Sequence, residues 1–314
     1  MTAVMPSAEL VHQSIDLESD LQERFSLDHQ ADLCESYLQN MSGEIPDDKR
    51  YVITLIQGDD PIYGDIGKSV ECTVFSKAFK RTLSDVYLDY VDYDSASTFI
   101  VAIDRNHPKT GRARPAGAIR LINDSPQGLK SIKDMIKDDP SNPWRDEIAN
   151  LVFSDDEQYS PDLAWKRLCD KAGVVLDPSA SVDVATFSVH PAYGRRNRLS
   201  GVYVSLYHTC LRLAMAQGKK NLVSIQDLPP LELVQEFGKP FDTFDGLSPR
   251  PYGGPYDTLP AYCILDEGMA RVRSFQPMIG KLLIEGVGLD EDTYQIKDRL
   301  PNLYGNVTVG LESE

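Results

Sequence analysis

Three arginines, Arg195, Arg196 and Arg198, stand directly ahead of Ser200 and Gly201, and Gly201 opens a stretch with helical spacing. Within 202–216 the apolar residues Val202, Leu206, Cys210, Leu213 and Ala214 recur at intervals of three and four, and Gly218 supplies the stop. The first turn of a helix carries amide N–H groups with no intrahelical partner. Guanidinium groups beside that turn make an anion site suited to a phosphate or pyrophosphate. The same arginines also read as solvated surface on an ordinary loop, and composition does not choose between the two.

Such a site needs elements to hold it. Ahead of the arginines, residues 182–189 (VDVATFSV) are rich in β-branched and aromatic types and are stopped by Pro191, which predicts a strand. Behind them, 221–225 (NLVSI) predicts a second strand and 231–237 a helix ended by Gly238, with a later strand at 261–265. Upstream, 97–104 and 116–122 predict an antiparallel hairpin across the polar turn 105–114. A first strand is expected at 51–56, a Gly/Asp/Pro loop at 58–67 and a helix over 70–90.

Between 122 and 182 lies a long excursion with helical patterns at 128–137 and 161–172. Ordinary connections are shorter, so this segment is either padding or a cover over a substrate. A Pro/Gly-rich stretch at 247–260 with two tyrosines cannot be regular helix, and a helical pattern over 268–286 precedes an irregular tail.

The bulk properties exclude several classes. With 32 Lys and Arg against 48 Asp and Glu the net charge is −16, which argues against nucleic acid as a partner. Half of that excess sits in residues 1–50, where eleven acids face three bases. Residues 1–45 read as an acidic arm, partly disordered or helical, in which Leu21, Phe25, Leu27, Leu33 and Tyr37 can lay one helix on the body. No apolar run is long enough for a membrane span, and the acidic start is unlike a secretion signal, so a cytoplasmic protein is expected. Five scattered cysteines without a C-x-x-C pair predict free thiols, and no His/Cys cluster has metal-ligand spacing, so no metal is expected.

The turn Val189-His190-Pro191-Ala192-Tyr193 followed by arginines resembles the end of the fourth strand in the GNAT superfamily of N-acetyltransferases. There a Val-x-Pro-x-Tyr turn leads into a (Gln or Arg)-x-x-Gly-x-(Gly or Ala) loop. Arg198 to Val202 fits its first five positions, while Tyr203 stands where the family has Gly or Ala and the glycine arrives about four residues late. The order of the flanking elements agrees over roughly 70–266. The resemblance implies an α/β (α+β) fold: a central mixed, twisted sheet whose two parallel strands splay apart, flanked by helices, with an inserted helical segment at about 123–180. It implies a domain over 46–290 and a tail over 291–314.

It also implies an N-acyltransferase that passes an acyl group from acyl-CoA or acetyl-CoA, a co-substrate, to an amine of small-molecule size. Phe187, Ser188 and Val189 would offer backbone amides to the thioester and pantetheine. Arg195, Arg196, Arg198, Ser200 and Gly201 would hold the pyrophosphate. Asp183 would be the base, or else a carboxylate paired at a strand start. Where many members carry a tyrosine to protonate the thiolate, this chain has Val234; either Tyr203, Tyr207, Tyr252 or Tyr256 takes that task or the thiolate leaves unassisted, and the sequence does not choose.

A second likeness runs through Ala116-Gly117-Ala118-Ile119-Arg120-Leu121, similar to a Gly-x-x-Arg-Leu segment of autoinducer synthases and long-chain N-acyl amino acid synthases. Those relatives share the fold and draw acyl groups from acyl-carrier protein, which makes that protein an alternative partner. Their later strand bears Glu-x-(Ser or Thr)-Arg-Phe. Here 183–187 keeps an acid and the phenylalanine but lacks the arginine. Arg120 would grip a carboxylate in bidentate fashion, or form an ion pair that holds the hairpin. The departures at Tyr203 and Val234 leave open a third reading, a non-catalytic protein of this fold that senses a ligand or scaffolds partners.

Overall fold

The computed structural model describes residues 8–41, 45–194, 201–289 and 293–295. The chain enters through two helices, α1 (Ala8–Arg24) and α2 (Leu27–Asn40), and continues through β1 (Tyr51–Gln57), α3 (Gly64–Phe79) and α4 (Leu83–Leu88). A 3-10 segment at Val91–Ala96 leads into the hairpin of β2 (Ser97–Asp104) and β3 (Arg114–Ile122). Three helices follow, α5 (Lys130–Ile136), α6 (Arg145–Val152) and α7 (Pro161–Ala172), and then β4 (Ser181–Val189) and the single turn α8 (Pro191–Gly194). Next come α9 (Gly201–Ala216), β5 (Asn221–Asp227) and α10 (Leu228–Gln235). The remainder holds the short β6 (Asp242–Thr243) and β7 (Arg250–Pro251), β8 (Asp257–Ile264), α11 (Leu265–Phe275), α12 (Pro277–Gly280) and β9 (Thr293–Gln295).

All nine strands join one sheet in the order β6-β8-β5-β4-β3-β2-β1-β9, with β7 also on β8. Neighbours are antiparallel except at two places, β4 beside β5 and β1 beside β9. One face is covered by α2 and α3, whose Cys34, Tyr37, Ile66 and Val70 pack on Val52, Phe99 and Val101. The other is covered by α9 and α11, with Leu206, Cys210, Leu213, Met269 and Val272 buried against Ile100, Ile119, Val182 and Leu222. Burial of each such side chain contributes about 1.5–3 kcal/mol relative to exposure. A Cβ on Gly67 would stand 2.4 Å from the Phe99 ring, so glycine is what lets α3 lie this close to β2.

This is the expected fold class, a mixed α/β sheet flanked by helices with a helical insertion. The acidic arm is helical across its described part: Leu21, Phe25, Cys34 and Tyr37 are buried, and Arg24 reaches both oxygens of Asp65 at 2.8 and 2.9 Å. The insertion packs Ile132, Met135, Trp144, Ile148 and Leu168 into an apolar cluster that also takes in Val223 and Tyr262 of the sheet.

Several details differ from the sequence expectation, and the helix expected over 70–90 is broken into α3 and α4, with Lys80 left-handed at φ 56° as the cap of the first and Thr82 capping the second. The stretch 58–67 is not all loop, because Asp60 Oδ1 accepts from the amides of Ile62 and Tyr63 at 2.9 and 2.8 Å and so organises the turn that starts α3 at Gly64. Helix α6 was not foreseen, and the C-terminal region adds a strand, β9, beside β1. No helix among the described residues is long and apolar enough to cross a membrane.

Candidate active site between diverging parallel strands

Strands β4 and β5 pair in parallel over only three positions, Ser181 with Asn221, Val182 with Leu222 and Asp183 with Val223. Past that point both strands continue but no longer together. Strand β4 runs on to Val189 against β3, and β5 runs on to Asp227 against β8. The β3–β4 register slips just there: Leu121 faces Val184 and Arg120 faces Thr186, leaving Ala185 as an extra residue. A bulge of this kind bends its strand and raises the local twist. The gap is open, a cleft of about 580 Å³ whose lining includes Val184, Ala185, Thr186 and Phe187 on one side and Leu222, Ile225, Gln226 and Asp227 on the other.

The backbone along this edge has a definite polarity. His190 N–H donates to Ala116 O at 2.9 Å, which makes their pairing a hydrogen-bonded one. Alternation along an antiparallel ladder then turns Ser188 toward β3 and turns the amides of Val189 and Phe187 away from β3, toward the side that β5 has left. Two N–H donors on one strand edge, about two residues apart, suit a carbonyl or amide chain laid alongside.

The wall across the cleft is built by other segments. Phe75 and Phe79 come from α3, Lys130 and Asp134 from α5, Lys137 from the end of α5, and Tyr252 from the Pro/Gly-rich stretch. Most charges there are paired: Arg81 with Asp89 at 2.5 Å, and Lys130 with Asp134, which also accepts from the Tyr252 hydroxyl. Asp227 is different. It ends β5, its side chain has no hydrogen bond or ion pair among the described residues, and burial pushes its carboxyl up to about 6. A carboxylate poised there is available to take a proton at neutral pH.

The sequence candidates divide. The amides of Phe187 and Val189 turn away from β3, and of the two residues Phe187 lines the cleft, its ring packing on Tyr203 and Tyr207 at 4.5 and 4.7 Å. The backbone of Ser188 faces β3, and its hydroxyl donates to Ala118 O at 3.3 Å. Gly201 opens α9 with free space where a side chain would stand. Arg195, Arg196, Arg198 and Ser200 lie outside the described residues.

Asp183 and Arg120 are placed away from the cleft lining. Asp183 is fully buried, accepts from Ser131 N–H at 2.6 Å and Ser131 Oγ at 2.7 Å, and is pushed up to about 6 by that burial. It anchors the insertion at the point where β4 and β5 part. Arg120, 2 % exposed, is held by Glu71 at 2.6 Å and Asp94 at 2.9 Å, and it lies 4.5 Å beneath the Phe99 ring. Its guanidinium is spent on this ion pair, which is the structural role rather than the carboxylate-gripping one. Of the four tyrosines named for the thiolate, Tyr207 and Tyr252 line the cleft, Tyr203 stacks 5.1 Å from Tyr207, and Tyr256 sits edge-on to Phe79 at 46 % exposure.

No protein-family model matches the chain, and no curated protein matches it either. Solved structures do. The chain is similar to BjaI, a CoA-dependent acyl-homoserine lactone synthase solved with SAM and isopentyl-CoA, at 13 % identity over 78 % of this chain and 92 % of that one, TM-score 0.45. It is similar to FeeM, an N-acyl amino acid synthase from uncultured soil microbes, at 15 % identity over 73 % and 97 %, TM-score 0.47. It is similar to an IAA acetyltransferase from Bacillus cereus at 12 % identity over 68 % and 98 %, TM-score 0.35.

Behind the cleft lies a second, smaller cavity of about 40 Å³, walled by Val234, Phe237, Cys263, Met269, Val272 and Leu283 among others. Tyr207, Leu222 and Phe241 line both spaces, so the two share a wall. Sequence reasoning did not find Asp227, Asp134 or Lys130, because nothing local distinguishes them from surface charges. The one usable signal was Asp227 at the end of a strand predicted to flank the splay.

Proposed function

We propose that the chain is an N-acyltransferase that takes an acyl group from a CoA thioester and places it on an amine inside the cleft between β4 and β5. The observation that carries this reading is the parting of the two strands after Asp183 and Val223 while both continue, which leaves an open gap lined by β4 from Val184 to Phe187, with the amides of Phe187 and Val189 turned away from β3. Those donors suit a thioester carbonyl, whose oxygen gains negative charge as the amine attacks. The amine nitrogen bonds to the carbonyl carbon, the carbon–sulfur bond breaks, and the sulfur leaves as thiolate. The proton lost from nitrogen goes to the Asp227 carboxylate, which burial has made basic enough to hold it. The thiolate takes its proton back within the cleft, and Tyr207, which lines both the cleft and the apolar cavity, is the residue proposed to give it. The apolar cavity receives the start of the acyl chain.

The test uses the full chain with acetyl-CoA and short-chain acyl-CoA thioesters and a panel of primary amines, following thiol release and acylated product by mass. Turnover that depends on the amine is the expected result. Absence of turnover together with no change in melting temperature at millimolar CoA or acyl-CoA would sink the proposal. Turnover only with acyl groups on carrier protein would keep the chemistry and replace the donor.

A further inference from the structure

We propose that residues 252–256, the tip of the hairpin joining β7 to β8, form a strap that closes the cleft on its α3 face and lifts to admit the amine acceptor. What the strap admits rests on the acyl-transfer reading; that it moves rests on its own contacts. The cleft takes lining from both faces of the sheet, with Tyr207 and Cys210 of α9 on one and Phe75 and Phe79 of α3 on the other, where Lys130 and Asp134 of α5 stand beside them. The apolar cavity proposed for the acyl chain is walled by α11 on the α9 face, which leaves the α3 face for the amine. Pro251 pairs with Asp257, and the five residues between them, Tyr252-Gly253-Gly254-Pro255-Tyr256, leave the ladder. Tyr252 and Gly253 line the cleft.

The roots of this hairpin are fixed. Ser248 N–H donates to Glu147 Oε2 at 2.8 Å, Arg250 donates twice to Glu147 Oε1 at 2.5 and 3.1 Å, and Trp144 Nε1 donates to Ser248 O at 3.1 Å. Thr258 Oγ1 adds a bond to Arg250 O at 2.9 Å. The tip is held differently. Among the described residues, 252–256 make no backbone–backbone hydrogen bond, and Gly253, Pro255 and Tyr256 are exposed. On one side the Tyr252 hydroxyl donates to Asp134, and its ring lies 5.6 Å from that of Trp144. On the other side Gly254 rests on Phe79, where a Cβ would stand 2.4 Å from the ring, and Tyr256 meets the same ring edge-on at 6.5 Å. The tip thus bridges α5 and α3, two walls of the cleft. One side-chain hydrogen bond and a few ring contacts keep it there, so lifting it breaks none of the ladder and costs far less than unfolding the domain. Gly253, left-handed at φ 68°, and Gly254 beside it give that motion its hinge.

Two experiments on the full chain test the strap. Pulsed electron paramagnetic resonance between spin labels on Pro255→Cys and Lys133→Cys, both exposed positions, reads the tip against α5, since the five native cysteines are buried. A closed distance and a second, longer one are expected. Tyr252→Phe removes the hydroxyl and keeps the ring, and it should raise the ratio of long to short at least about tenfold, the weight of one hydrogen bond to a carboxylate. A single narrow distance that Tyr252→Phe leaves unchanged overturns the proposal. Phe79→Cys combined with Gly254→Cys supplies a lock. Removing the ring clears the space for the new side chain, Gly254 is not left-handed, and the two Cβ atoms come within the separation of about 3.5–4.5 Å that a disulfide spans. The oxidised pair should lose at least about tenfold of its amine-dependent thiol release, regain it on reduction, and keep the wild-type melting-temperature shift with CoA. Failure of the pair to cross-link, or equal turnover locked and reduced, overturns the strap. Two distances in a chain that turns over no thioester would uphold the motion and overturn only the acyl-transfer reading.

Discussion

Thr186 Oγ1 donates to Glu71 Oε1 over 2.6 Å, and the carboxylate that receives it is the one Arg120 grips from the neighbouring strand. One carboxylate thus ties α3, β3 and β4 together at the residue that follows the Ala185 bulge. Lys68 closes the group through Asp94 at 2.5 Å, so two cations and two carboxylates balance in a nearly dry site. Tyr90 lies over Arg120 at 5.0 Å and reaches Ala185 O at 3.5 Å. The network sits directly behind the cleft floor and fixes where β4 bends away from β5.

Arg120→Met should therefore act on stability. Removing one partner of a buried pair leaves Glu71 and Asp94 uncompensated, a loss of about 3–5 kcal/mol. Urea unfolding followed by far-UV circular dichroism measures it. A variant that kept wild-type stability while losing activity would show Arg120 serving a substrate instead.

Asp183→Asn should cost about 1–3 kcal/mol, because the amide presents N–H₂ to one of the two Ser131 donors. The pH dependence has a definite sign. Burial raises the folded carboxyl to about 6, against about 3.9 in an unfolded chain, so the folded state binds the extra proton. The stability this group gives is full below about 4 and declines as pH climbs through 6. The penalty of Asp183→Asn should accordingly be larger at pH 4 than at pH 7. A penalty that grew with pH would contradict the burial argument.

The fold was legible where local pattern and tertiary burial agree. The hairpin of β2 and β3, strand β4 and helix α9 each carry the apolar period of the structure they adopt, because both their neighbours and their own spacing demand it. The start of α3 was hidden, since Gly and Asp near 58–67 read as loop until Asp60 is seen to cap the turn. The site was less legible than the frame. Asp183 and Arg120 look like chemistry in one dimension, and only contacts 52 and 49 residues away along the chain show them spent on Ser131 and Glu71. Asp134 and Tyr252 meet, and Asp227 lines the same cleft, from segments no spacing rule connects.

Asp227→Asn tests the proposed base. If the carboxylate must be ionised to accept the proton, kcat/KM rises with pH through about 6 and levels above it. The variant should lose about 10²–10⁴-fold at pH 7.5, the usual contribution of a positioned base, and its profile should lack the limb near 6. Stability should move the other way: neutralising a carboxylate that burial disfavours leaves the melting temperature unchanged or raised. An activity loss of under threefold with the acid limb intact would assign the base elsewhere.

On the acyl-transfer proposal, the apolar cavity behind the cleft sets a limit on the acyl group. Its volume is about 40 Å³ and its walls, from Val234 to Leu283, carry no charged group, so it accepts the first carbons of a chain and rejects a polar head. Met269 and Val234 stand at 7 % and 3 % exposure, which makes their side chains the removable wall. Met269→Ala should shift the preferred thioester toward longer chains, each added methylene contributing about 0.8 kcal/mol, or near fourfold in kcat/KM, until the new space is filled. The same substitution costs about 2–5 kcal/mol of folding stability, so Val234→Ala, with a smaller loss of packing, serves as the second probe. Competition between acetyl-CoA, butyryl-CoA and octanoyl-CoA, read by product mass, measures the shift. A preference that stayed fixed in both variants, with folding confirmed by circular dichroism, would place the acyl chain outside this cavity.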